Sequence, residues 1–159
     1  MSDDASALIA ELEEQEDRLV FTTFDNDNAW RLGCSLVELA RERALPVTID
    51  IRANGHQLFH AALPGTAPAN DLWIERKVRV VEHLRCSSYL AGRRLAAAGE
   101  ELDHTHGVDP ARYATHGGAF PVRVRGVGVV GVVTVSGLPQ ADDHRLVVEA
   151  IEVYLKNVG

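Results

Sequence analysis

Three groups of residues carry side chains suited to chemistry. The first is His116-Gly117-Gly118. Two glycines ahead of an apolar run leave backbone N–H groups open, a nest suited to an anion or carboxylate. His116 beside them can act as acid, base or ligand. The plain alternative is a Gly-Gly turn that only leads into a strand. The second group is Trp73, Arg76 and Lys77. Cations near the start of a helix are disfavoured by the macrodipole, which points to an acidic ligand or a subunit salt bridge. Trp73 and Lys77 are four residues apart and share a face, so a cation–π contact or a solvated charged face is the plain alternative. The third group is His104 and His106 with Asp103 and Asp109. Imidazoles and carboxylates this close are a candidate site for a divalent metal, though such a pair in a loop is common by chance.

Other patterns carry less. Gly126-Val127-Gly128-Val129-Val130-Gly131 matches GxGxxG. A dinucleotide site needs a helix directly after those glycines, and here Val132-Val133-Thr134-Val135 follows. Strand architecture is the better reading. Ser136-Gly137 ends an apolar run without a GxSxG elbow, which speaks against a serine hydrolase. His56, His60 and His144 read as surface or capping residues. Cys34 and Cys86 lie far apart in helical patterns, without CxxC spacing, and read as free thiols of a reducing compartment.

The elements that must position these groups follow from periodicity. Leu8, Ile9 and Leu12 put an apolar stripe on an acidic helix over about 5–18. Leu19–Phe24 reads as a short strand, and Asp25 or Asn26 as the cap of a helix with Ala29, Leu32, Leu36 and Ala40 inward. Val47, Ile49 and Ile51 alternate with polar residues, and Asn54-Gly55 predicts a hairpin into Gln57–Leu63. Asn70 or Asp71 caps one long helix reaching Ala98. Residues 100–118 are polar and irregular, long for a connection. Ala119–Arg125 and Val127–Ser136 are strands, and Asp142 or Asp143 caps a last helix. The order α-β-α-β-β-α-β-β-α predicts an α+β layer with an antiparallel sheet in a single domain over 1–159.

Bulk properties narrow the partners. The chain has 159 residues and a net charge of −7. It has no basic stripe, so no nucleic-acid partner is expected. No run is long and apolar enough to predict a membrane helix. Met1-Ser2-Asp3-Asp4 lacks the basic start of a secretory signal. A cytoplasmic location is the expectation.

The run His116-Gly117-Gly118-Ala119-Phe120-Pro121, then Gly128 to Leu138, then Asp142-Asp143-His144, resembles the GlcG/HbpS-like "haem-degrading domain" family. Asn70 to Lys77 is similar to one uncharacterised branch with bacterial and fungal members. The likeness spans roughly residues 5–158. It implies a profilin-like fold, with a five-stranded antiparallel sheet flanked by helices. It also implies homo-oligomers and haem binding or degradation.

Three functions are consistent with these residues. One is an oligomeric binding module for a small acidic or haem-like ligand at His116, Gly117, Gly118, Trp73, Arg76 and Lys77. Another is a metal-assisted enzyme acting on a small molecule through His104, His106 or His116. The third is a structural protein acting through its homo-oligomer.

Overall fold

In the computed structural model, which describes residues 2–158, helices pack on both faces of a four-stranded antiparallel sheet. The chain runs α1 (Asp3–Arg18), α2 (Asn26–Glu42), β1 (Thr48–Ala53), β2 (His56–Ala62), α3 (Pro68–Leu84), α4 (Ser88–Ala97), β3 (Ala119–Val124), β4 (Gly128–Ser136) and α5 (Gln140–Val158). Short 3-10 turns at His104–His106 and Pro110–Arg112 punctuate the connection into β3. The strand order is β2-β1-β4-β3. The α+β class read from the sequence is the class observed.

Both hairpins form where the sequence puts them. Asn54 and Gly55 take φ values of 53° and 77°, the left-handed pair that a tight β1–β2 turn demands. Thr48 of β1 lies opposite Ala62 of β2 and Ser136 of β4. Alternation then divides the sheet. Ile49, Ile51, Val133 and Val135 join the main core with Leu32 and Leu36 of α2 and Val147 and Ile151 of α5. The opposite face carries Thr48, Asp50, Thr134 and Ser136, and α3 lies across it through Ile74, Val78 and Val81 on Ala119 and Val132. This polar face is what the candidate site is built on. The GxGxxG run is strand architecture, as expected: a Cβ at Gly131 would collide with the Arg52 carbonyl of the neighbouring strand.

Three expectations are corrected. The Leu19–Phe24 strand shrinks to one bridge, Phe21 beside Val124. The Phe21 N–H donates to Arg123 O at 2.8 Å and Arg125 N–H donates to Phe21 O at 2.9 Å. Asp25 then accepts the Asn28 N–H and turns the chain into α2. Among the described residues the sheet therefore has four strands, not five.

The single long helix from Asn70 to Ala98 is two helices. Arg85 takes a left-handed φ of 62° and ends α3. Ser87 Oγ accepts the Leu90 N–H at 3.1 Å and caps α4. The Ser87 N–H itself donates to the buried Glu16 carboxylate of α1 at 3.0 Å.

The caps also differ. α3 starts at Pro68, and Asn70 reaches back from inside the first turn to accept the Ala67 N–H at 2.9 Å. Asp143 likewise lies within the first turn of α5, not before it.

Candidate functional site

A cleft of about 360 Å³ opens where α3, the approach to β3, the end of β4 and the start of α5 meet. Asn70, Trp73 and Lys77 line it from α3, His116 from the approach to β3, Ser136 from the end of β4, and Gln140 and Asp143 from α5. The structure thus brings residues of α3 together with residues 39 or more positions further along the sequence.

Lys77 points inward from α3 and is only 3% exposed. Its Nζ donates to Asp143 Oδ2 at 3.1 Å and to Val135 O at 3.2 Å. Asp143 also accepts the Leu138 N–H at 2.9 Å and the Gly137 N–H at 3.3 Å. Burial pulls the Lys77 pKa below its ordinary value, against the attraction of Asp143. Burial pushes Asp143 up, against the Lys77 charge and the backbone donors. The desolvation cost of both charges is thus only partly offset by their contact.

The glycines explain how this pair fits. A Cβ at Gly117 would collide with the Gln140 carbonyl, and one at Gly118 with the Val135 carbonyl and, at 2.8 Å, Lys77 Nζ. Gly118 also has a φ of 136°, which side-chain-bearing residues rarely adopt. The open nest expected here is partly filled: the Gly117 N–H donates to Gln140 Oε1 at 3.1 Å. Close approach, more than anion capture, accounts for the Gly-Gly pair.

His116 is exposed at the rim of the cleft and stands edge-on to Trp73, with ring centroids 5.1 Å apart and planes at 88°. Burial lowers its pKa first, and the charges of Lys77, Arg76 and Arg93 lower it further. Its imidazole is neutral at pH 7, with a free nitrogen lone pair for a proton or a metal. The cation over Trp73 is Arg76, 4.8 Å from the ring centroid, and not Lys77. Arg76 also donates to Tyr113 O at 3.3 Å, while its Nε and that of Arg93 are buried without a hydrogen-bond partner.

His104 and His106 lie elsewhere, in their own 3-10 turn. His106 Nδ1 is 3.2 Å from Asp103 Oδ1 and Nε2 is 3.1 Å from Glu100 Oε2. Asp103 caps the turn by accepting the Thr105 N–H. Among the described residues, no group of three or more His, Cys, Asp and Glu has an arrangement that holds a metal. His60 is not a free surface residue: Nδ1 is 3.2 Å from Asp50 Oδ1 and Nε2 is 3.1 Å from Asp71 Oδ1. A larger cavity of about 450 Å³ lies beside Arg52, Glu82 and Arg85. Arg52 is already paired with Asp50 and Glu75, so the smaller cleft holds the more available chemistry.

Sequence reading missed Asp143, Asn70 and Ser136 as members of the cleft. Asp143 and Asn70 look like helix caps, and that cap-like position is the signal that brings them to a helix start beside a strand end. No sequence signal marks Ser136 beyond its place at the strand terminus.

An antiparallel sheet with α3 on one face, α2 and α5 on the other, and a polar cleft at their meeting point defines an α+β domain with one side open to a ligand. Residues 24–152 match the family described as haem degrading protein HbpS-like, and the chain belongs to that family. A UPF0303 protein of Streptomyces coelicolor is 64% identical over 147 residues, covering 92% of this chain and 93% of its own. The crystal structure of the Ybr137w protein has a TM-score of 0.86 at 31% identity, covering 95% of this chain and 90% of its own. A PduOC–haem complex shares the fold, with a TM-score of 0.68 at 18% identity over 84% of this chain and 94% of its own. Among the described residues, no helix is long and apolar enough to cross a membrane.

Proposed function

We propose that the chain is a binding module whose cleft holds a small acidic ligand between His116, Trp73 and Lys77. One observation carries this reading. A neutral imidazole and an aromatic edge line a concave site, and the charges of Lys77, Arg76 and Arg93 act on that imidazole. The Nε groups of Arg76 and Arg93 lack partners as well. Such a field favours a negative charge in the cleft. The ligand's carboxylate would accept hydrogen bonds from Lys77 and His116 within the field of Arg76 and Arg93, while Trp73 covers its carbon skeleton.

Haem is the second reading, favoured by the family and by the PduOC–haem complex of the same fold. The residues fit it only at the iron. Neutral His116 is a suitable axial ligand, but Trp73 and Leu138 are the large apolar side chains of the cleft. That is little cover for a macrocycle, and the volume is at the small end of ligand sites. The acid fits the residues better.

Calorimetric titration with lactate, pyruvate, succinate and citrate, beside absorbance titration with haem, tests both. The expected result is saturable binding of an acid that weakens by about tenfold or more in His116→Ala, the loss of one charge-assisted hydrogen bond. No saturable binding, or binding indifferent to His116→Ala and Lys77→Ala, overturns the proposal.

A further inference from the structure

Only two of the 16 lysine and arginine residues in the chain are lysines, Lys77 and Lys156. Lys156 is exposed at the end of α5, whereas Lys77 is buried at the cleft. Arginine is the usual choice for a buried ion pair, because its guanidinium is less strongly hydrated and offers a planar fork. A guanidinium also never yields a free amine, and an ammonium does. The position that holds the buried cation of a ligand cleft is therefore one of only two side-chain positions where this arginine-rich chain keeps an amine, and the only buried one of the two.

The surroundings suit an amine that reacts. Asp143 Oδ2, 3.1 Å from Nζ, is a proton acceptor already in contact. Two backbone N–H groups hold that carboxylate in place from the β4–α5 connection. Nζ spends two of its donors on Asp143 and Val135 O, leaving a third. Gly118 removes the side chain that would press on Nζ. Burial, which lowers the Lys77 pKa, eases release of its proton.

We propose that Lys77 is an imine-forming amine and that the cleft takes small anionic carbonyl compounds, namely 2-oxo acids and short acidic aldehydes. This deepens the acidic-ligand reading above and rests on it. The Lys77 ammonium passes a proton to Asp143, and the free amine attacks the carbonyl carbon. A C–N bond forms, and the carbonyl π pair moves to oxygen, which takes the proton held by Asp143. The nitrogen then returns a proton to Asp143. That proton goes to the hydroxyl, which departs as water while the nitrogen lone pair closes the C=N bond. The product is a protonated imine with Asp143 as its counter-ion, and no oxidant or reductant is consumed. The carboxylate of the ligand faces the field of Arg76 and Arg93, beside His116.

The test treats full-length protein with pyruvate or glyoxylate in the presence of borohydride, which delivers hydride to an imine carbon and makes the adduct permanent. Intact mass and peptide mapping then locate the adduct. The expected result is a mass gain equal to the acid less one oxygen atom, on Lys77 in preference to Lys156 and the α-amino group. Excess lactate, which lacks the carbonyl, protects Lys77 and leaves any Lys156 adduct unchanged. Adducts on Lys156 or the α-amino group alone, no adduct at all, or a Lys77 adduct that lactate fails to reduce would each overturn the proposal. Calorimetric lactate binding separates the two readings. Lactate bound without a Lys77 adduct removes the imine and leaves the cleft standing, whereas no binding of either acid removes both.

Discussion

Lys77 Nζ lies 3.1 Å from Asp143 Oδ2, and the two side chains are 4% and 2% exposed. The contact ties α3 to α5 across the end of β4. The partners are not equally provided for. Without Lys77, Asp143 keeps the Leu138 and Gly137 N–H groups. Without Asp143, Lys77 keeps the Val135 carbonyl alone. Breaking a buried pair costs about 3–5 kcal/mol. Asp143→Leu should fall at the top of that range and Lys77→Met at or below the bottom. The double variant should cost less than the sum of the two singles. Urea unfolding of the three variants checks this, and equal costs for the single variants would contradict the asymmetry.

The Gly-Gly pair makes a stability prediction. Gly118→Ala places a methyl against the Val135 carbonyl and Lys77 Nζ at a φ of 136°, and should cost more than about 2 kcal/mol. Gly55→Ala meets open space at a φ of 77°, so only the left-handed penalty of about 1 kcal/mol remains. Thermal unfolding of both variants measures the difference.

How much of this was legible follows from which interactions are local. Asn54-Gly55 and the alternation around Ile49 and Ile51 encode their own geometry, so that hairpin was readable. His116, Trp73, Arg76 and Lys77 stood out because their types are unusual for their positions, and the fold gathers His116, Trp73 and Lys77 at one cleft with Arg76 stacked on Trp73. The burial of Lys77 was not readable, because its partner Asp143 lies 66 residues away. The break between α3 and α4 falls at Cys86-Ser87-Ser88, weak helix formers with no Gly or Pro to mark a stop. The element that stabilises it, Glu16, accepts the Ser87 N–H from 71 residues upstream. The fifth strand failed for the same reason in reverse: Phe21 has strand composition, but only one residue of Leu19–Phe24 finds a partner.

His144 sets a pH dependence. Burial and the Arg145 charge pull its pKa down to about 4, from an ordinary value of 6.5. Its Nε2 is 2.7 Å from Gln15 Oε1, an acceptor, so Nε2 carries the proton and the buried Nδ1 has no partner. The unfolded chain binds a proton at this residue below pH 6.5 and the folded chain does not until about pH 4. Stability is therefore fully present above pH 6.5 and falls between the two values, by about 3 kcal/mol from this group. His116, also lowered, adds a loss of the same sign. Urea unfolding at pH 7, 6, 5 and 4 should show a shallower decline in His144→Gln than in the wild type. Parallel declines would contradict the assignment.

The central claim, that the cleft beside His116 binds a small acid, has a built-in reporter. The chain has two tryptophans, Trp30 and Trp73. Trp30 is 62% exposed and touches Phe59 on the far side of the sheet, so Trp30→Phe leaves Trp73 as the sole indole. Its edge contact with His116 places it in the cleft wall. The decisive measurement is Trp73 emission in Trp30→Phe protein titrated with lactate, pyruvate, succinate and citrate. A saturable change with one of these acids, shifted to about tenfold or more higher concentration by His116→Ala, is the predicted result. Emission that stays flat with all four, or a saturable change that survives His116→Ala intact, would contradict it.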